Sequence, residues 1–358
     1  MMYRLQRLAI AFTLALGLSG CGMLPVGMQA GANDQVTAQK HKAGALSLIV
    51  LPEMGHSSLL DAIRGAKKSI QVQTYIFTNY DASADLVKAL VERAQAGVEV
   101  KVILEANPYI PPKPLAPGEQ PTFGNNVNKE TIQALIAGGV RVKRSSPKFR
   151  YTHQKTMVID EQTAYIMTLN FTNSGLTTNR EYAVVDRDPS DIKELLKIFH
   201  ADWEELTYLP KDPDLVVSPN NSRARIIKLI DSAKKSLMVQ CEFVSDPEIA
   251  QHLGARAKAG VDVKVMMAHF DKDPNTGRDS NADSQALLNG QGVNQLLFNK
   301  SIKMHAKMIL ADNARAYIGS ENMTSNSLDN NREMGVLVED KAIIETLAKT
   351  AAKDWAAR

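Results

Sequence analysis

Two short stretches of the chain carry the same reactive side chains at the same spacing. HQKTMVID, residues 153 to 160, and HAKMILAD, residues 305 to 312, both read His-x-Lys-x-x-x-x-Asp and both run into a β-rich apolar stretch. On an extended backbone residues i and i+2 point to one face, so His153 projects with Lys155 and His305 with Lys307. Two such halves brought together set two imidazoles and two ammonium groups around one cleft. A cleft of that charge suits a phosphate.

A phosphodiester resists attack because its anionic oxygens repel a nucleophile. Lys155 and Lys307, with the amides of Asn170 and Asn322, can offset and clamp that charge. One neutral imidazole can then attack phosphorus to form a phosphohistidine, while the other, protonated, gives its proton to the departing alkoxide. Water activated by the second histidine completes the cycle. Glu181 and Glu333, in NREY and NREM, are placed to accept a hydrogen bond from the far nitrogen of each ring and so fix its tautomer. A zinc site built on the two histidines would set two lysines beside a dication, and no Cys or carboxylate completes a ligand set at the usual spacing. The reading therefore needs no metal and no cofactor.

The elements that would position these groups recur along the chain. SSLLDAIRGAKKSIQVQTYIF (57 to 77) and NSRARIIKLIDSAKKSLMVQCEFV (221 to 244) both read as an amphipathic helix, the junction A-K-K-S and an alternating strand. AQAGVEVKVIL (94 to 104) returns as AKAGVDVKVMM (257 to 267), a helix end, a turn glycine and a buried strand. His153 and His305, Asn170 and Asn322, Glu181 and Glu333, and Trp203 and Trp355 all stand at one separation of 152 residues. Each half is expected to run helix, strand, helix, strand, helix, strand, then the His-Lys-Asp strand pair, another strand and a long closing helix. Strands alternating with helices predict an α/β fold in two related repeats with mixed sheets. TYLPKDPDLVVSP (207 to 219) reads as the link between lobes spanning 45–206 and 220–358, and the Pro-rich 107–126 as an irregular insertion that lines or lids the site.

The doubled motif, the GSEN of residues 319 to 322 and the NRE that follows resemble the phospholipase D superfamily over about residues 45 to 358. The resemblance implies a bilobed α/β/α sandwich with one active site at the lobe interface, a monomer that is an intrachain pseudo-dimer. It implies His153 and His305 as nucleophile and general acid, with His153 attacking, Lys155 and Lys307 on phosphate, and Asn170 and Asn322 beside them. The signature places the motif acids Asp160 and Asp312 with the catalytic residues, where they are read in a supporting role. Thr168 and Ser320 join Asn170, Asn322, Glu181 and Glu333 as phosphate-binding or supporting groups. Where the second half has Gly319 the first has Met167, which is expected to narrow the approach to phosphate on that side. DKDPNTGRDSNAD (271 to 283) looks like a calcium loop, but its glycine is one place late and Ala282 stands where Glu is needed; it reads as a polar loop. His269 is expected to border the site, and the other histidines read as surface groups.

Charged residues make up 23% and hydrophobic residues 44% of 358, which suits a globular chain. Residues 1–20 read as an export signal: Arg4 and Arg7, then the apolar run Leu8 to Leu18, ending at Leu18-Ser19-Gly20-Cys21. That end resembles a bacterial lipobox, which implies lipidation at Cys21, a flexible tether over 21–44 and an exported, membrane-anchored protein, with Gly22 favouring the outer membrane. Cleavage would lower the formal charge from +3 to +1. So weak a charge disfavours non-specific nucleic-acid binding and, with the anchor, places phospholipid hydrolysis first. Nuclease activity remains the alternative, because NFTNSGLTTNREYAVV looks like small bacterial nucleases of the superfamily; phosphatidyl transfer as in cardiolipin synthesis is the second alternative. The anchor has a direct check. Cys21→Ser should leave the membrane fraction and take up no labelled fatty acid, and a variant that still incorporates label would remove the lipoprotein reading.

Overall fold

The computed structural model describes residues 41–42, 44–106, 108, 127–271 and 281–357. Cys21, most of the tether, nearly all of the Pro-rich insertion and residues 272–280 of the calcium-like loop lie outside the described residues. The described residues form one compact unit.

The first half runs β1 (Leu46–Leu51), α1 (Ser57–Gly65), β2 (Ser69–Thr74), α2 (Asp81–Gln95), β3 (Glu99–Leu104), α3 (Lys129–Ala137), β4 (Arg141–Arg144), β5 (Thr156–Ile159), β6 (Thr163–Met167), α4 (Asn173–Thr177), β7 (Glu181–Asp186) and α5 (Pro189–Trp203). The second repeats it: β8 (Leu215–Ser218), α6 (Ser222–Ser232), β9 (Ser236–Cys241), α7 (Pro247–Lys258), β10 (Asp262–Ala268), α8 (Ala282–Gln291), β11 (Gln295–Asn299), β12 (Met308–Ala311), β13 (Arg315–Gly319), α9 (Ser325–Asp329), β14 (Glu333–Val338) and α10 (Lys341–Ala356). Each half forms a seven-stranded sheet, in the orders β1-β7-β6-β5-β2-β3-β4 and β11-β10-β9-β12-β13-β14-β8. Helical crossovers make β2, β3 and β4 parallel, as they do β9, β10 and β11, and the remaining pairs are antiparallel. The fold is the α/β pair of mixed sheets that the sequence implies.

Four elements depart from that expectation. Both halves open on a strand: β1 pairs with β7 and β8 with β14, so Leu215–Ser218, expected within the linker, belongs to the second sheet. A strand of four to six residues at a sheet edge shows no period of its own, and only its partner gives it hydrogen bonds. The short α4 and α9 were also not anticipated. Each is started by a threonine, Thr172 and Thr324, whose hydroxyl accepts from the N–H three residues on.

The hydrophobic packing falls into layers. One cluster joins α1, α2 and α3 to the outer face of the first sheet, and another joins α6, α7 and α8 to the second. Between the sheets a third cluster takes Val158, Ile166 and Val184 from one half and Met308, Ile318 and Val336 from the other, with Ile192 and Leu195 of α5 and Ile344 and Leu347 of α10. This shared core fixes the two sheets against each other. α5 and α10 start on Asp188 and Asp340, whose carboxylates accept from the first-turn N–H groups.

Candidate active site

The two His-Lys motifs lie just ahead of β5 and β12, and the opposite half holds them extended. Thr152 bridges Arg332 and Met304 bridges Arg180. The N–H groups of His153 and Gln154 donate to the Arg332 carbonyl, both at 2.8 Å, and that of His305 to the Arg180 carbonyl at 3.3 Å. The pairing that extends these segments ahead of β5 and β12 is therefore with the other half.

The side chains cross in the same way. His153 Nδ1 lies 2.7 Å from Glu333 Oε2, and His305 Nδ1 lies 2.6 Å from Glu181 Oε1. Both glutamates are fully buried, and both are held again: Thr168 Oγ1 donates to Glu181 at 2.5 Å and Ser320 Oγ to Glu333 at 2.6 Å. Asn179 donates to the Glu181 oxygen that also meets His305, at 3.3 Å, and Asn331 to the second oxygen of Glu333, at 3.0 Å. A carboxylate at Nδ1 accepts a hydrogen bond from the proton the ring keeps there and turns Nε2 to the cleft as the reactive nitrogen. Thr168 and Ser320 thus serve the glutamates. The Tyr182 and Met334 N–H groups donate to their hydroxyls, which are wholly buried.

Lys155 and Lys307 are completely buried, each donating to the carbonyl of the histidine two residues before it. An ammonium has three donors, so each keeps protons for a ligand. Burial, with Lys307 close by, pulls Lys155 down to about 7 against the attraction of Glu333 and Glu181. Burial is also the main cause that brings His153 down to about 4, helped by Lys155 and Lys307 and opposed by Glu333. His153 is thus a neutral base near pH 7. Burial alone would raise the Glu181 and Glu333 carboxyls; His305 and Lys307 for the first, and His153 and Lys155 for the second, hold them below the usual range.

Other expectations are corrected. Asp160 and Asp312 stand past the far ends of β5 and β12 and take no part in the cleft. Asp160 accepts from the N–H groups of Lys67, Lys68 and Ser69, and Asp312 from those of Lys234, Lys235 and Ser236, so each closes the A-K-K-S turn. Both have positive φ, 53° and 54°, which Asp tolerates better than most residues. Gly319 is required inside the sheet: a Cβ there would meet Tyr317 Oη at 2.4 Å and the Gly335 Cα at 2.5 Å. Its counterpart Met167 packs in the core of the first half and does not narrow a phosphate path. Asn322 accepts a weak thiol contact from the buried Cys241 at 3.6 Å, and Asn170 has a buried Oδ1 without a partner. His269 lies 3.8 Å from Asp271.

Sequence reasoning missed a second reciprocal pair. Arg180 Nε and Nη2 donate to Asp354 on α10 at 2.6 and 2.8 Å, and Arg332 Nη2 donates to Asp202 on α5 at 2.9 Å. The constant separation of 152 residues relates both the arginines and the aspartates and could have exposed them. His41, read as a surface group, is also pinned: its ring lies 2.9 Å from Asp191 and 3.8 Å from Asp214, and the Asp191 hydrogen bond lifts it to about 9 despite burial. These three are the group with metal-ligating potential among the described residues, and none belongs to the His-Lys pairs.

The model of a family described as cardiolipin synthase, PLD-like domain, matches residues 59–203 and 226–355. A cardiolipin synthase of Clostridium perfringens is 27% identical over 337 residues, covering 83% of this chain and 67% of the relative. Cardiolipin synthase B of Escherichia coli is 23% identical over 341 residues, covering 84% and 78%. Among solved structures, a phosphatidylserine synthase of Haemophilus influenzae superposes with a TM-score of 0.62 at 14% identity, covering 88% of this chain and 87% of that one. A polyphosphate kinase of Porphyromonas gingivalis gives 0.64, also at 14%, over 86% and 46%. The site separates two classes of acid. Glu333→Gln should keep the fold and lower turnover about 10²- to 10⁴-fold, since the amide no longer fixes the His153 tautomer; Asp160→Ala should lower the melting temperature and spare the chemistry. Equal loss of turnover in folded samples of both would contradict this division.

Proposed function

The chain belongs to the phospholipase D-like family that includes cardiolipin synthases, and from that premise we propose that it transfers phosphatidyl groups between alcohols through a covalent phosphohistidine. The observation that carries the chemistry is the pair of histidines, each with Nδ1 bound to a buried glutamate of the opposite half. His153 Nε2 attacks phosphorus, a P–N bond forms, and the P–O bond to the first alcohol breaks. That alcohol takes the proton of His305 Nε2. A second alcohol then returns a proton to His305 and attacks phosphorus; the P–N bond breaks and neutral His153 is restored. Lys155 and Lys307 offset the charge on the non-bridging oxygens. Because burial leaves Lys155 near neutrality, an arriving phosphodiester anion favours its protonated form.

Hydrolysis, the first expectation from the sequence, differs only in that water replaces the second alcohol. Relatives named as cardiolipin synthases favour the alcohol. So does the burial of both rings, whose side chains are 13% and 10% exposed, which restricts water at phosphorus. Among the described residues no helix is long and apolar enough to cross a membrane. The proposed lipid on Cys21 would instead hold the site near phospholipid, on the exported side of a membrane.

The test offers the purified chain phosphatidylglycerol in mixed micelles, in parallel with single- and double-stranded DNA and RNA, with His153→Ala as the blank. Transfer predicts a doubled phospholipid with release of glycerol. Phosphatidic acid alone would return the reading to hydrolysis, and His153-dependent cleavage of nucleic acid without lipid turnover would overturn it.

A further inference from the structure

The two halves of the site differ at one residue that faces a histidine. β2 and β9 both follow an A-K-K-S junction, and the first residue past the strand is Tyr75 in one half and Glu242 in the other. The Tyr75 ring stands edge-on to the His153 ring, 4.6 Å between centroids at 62°, with Lys155 Nζ 5.5 Å from its centre. Glu242 places Oε2 3.8 Å from His305 Nε2, the nitrogen opposite the one that Glu181 holds. His305 therefore has a carboxylate on both sides, and His153 has one carboxylate and an aromatic ring.

We propose that Glu242 is a positioning residue that makes His305 the proton donor of the cycle, while Tyr75 in the matching place leaves His153 as the nucleophile. The proposal rests on the transfer reading and adds a physical reason, in residues of this chain, for the roles that reading gives to the two histidines. Two carboxylates beside one ring attract the positive charge that a proton donor must carry, in a site largely closed to water. The distance matters as much as the charge. At 3.8 Å the carboxylate is too far to bind the Nε2 proton itself, so that proton stays available to a departing alkoxide.

Glu242 is suited to stay ionised. Burial pushes its carboxyl up, but His305, Lys307, Lys303 and His153, in that order, hold it below the usual glutamate range. Glu181 on β7 faces the other nitrogen of His305, and Lys155 lies within Coulomb reach of both Glu181 and Glu242. Tyr75 brings no charge to His153, and the buried ring there stays neutral. A carboxylate in a phosphate cleft would repel its ligand were it not committed to a cation, and Glu242 has that cation in His305.

Glu242→Gln keeps size and removes charge. The experiment measures kcat and KM for phosphatidyl transfer against pH in the wild type, Glu242→Gln and Glu242→Asp, and maps the phosphatidyl-histidine by alkaline quench and mass spectrometry. The proposal predicts that Glu242→Gln loses roughly tenfold to a hundredfold in kcat with little change in KM. Its alkaline limb moves to lower pH, Glu242→Asp recovers part of the loss, and the label stays on His153. A Glu242→Gln pH profile that matches the wild type, or label found on His305, would overturn the assignment. Wild-type enzyme that turns over without any labelled histidine would instead sink the transfer reading beneath it. If Glu242→Gln does not fold, the limb of Glu242→Asp decides: unshifted, it refutes the proposal.

Discussion

Everything reactive in this molecule depends on a hydrogen bond between a histidine of one half and a glutamate of the other. His153 needs Glu333 and His305 needs Glu181 before either ring has a fixed tautomer. Neither half holds both partners of either bond, so the lobes must dock before a reactive histidine exists. The backbone makes the same demand, since the Arg180 and Arg332 carbonyls receive the N–H groups of the opposite motif. One short segment, Asn-Arg-Glu, thus supports the other half's histidine through main chain and side chain together.

The arginine of that segment holds the lobes in register. Arg180 reaches Asp354 and Glu53, while Arg332 reaches Asp202 and stacks 4.2 Å over Phe149. Buried pairs of this kind add little net stability, because desolvation offsets much of the attraction, but a misplaced partner would leave a charge unpaired in the core. They therefore favour one docking over its slipped neighbours. The apolar cluster between the sheets supplies adhesion and the crossed pairs supply alignment. Charge inside the cleft follows the same economy of partners: two buried lysines face buried glutamates, and the phosphate would add the anion that the lysines still lack.

Much of this was legible in the sequence because it is periodic. Strands with helical crossovers, the A-K-K-S junctions and the constant separation between the halves gave two related sheets, and the His, Lys and Glu positions followed from them. What stayed hidden requires long-range partners. β1 and β8 are short runs that become strands only beside β7 and β14. The glutamates were identified, but which histidine each serves depends on docking, and the partners lie 180 and 124 residues apart. Asp160 and Asp312 show the opposite error, since motif membership placed them as supporting acids among the catalytic residues where the three N–H groups of a turn needed an acceptor. Gly319 likewise answers to the Tyr317 ring within its own sheet.

The central claim is that the two motifs make one site, and the most direct measurement is turnover of His153→Ala, His305→Ala and the double variant, each checked for native fold. A shared site predicts that each single variant loses activity by at least about a thousandfold and that the double is hardly worse, since the two rings act in one cycle. Single variants that each retain about half the activity, with all of it lost only in the double, would show two independent sites and contradict the account.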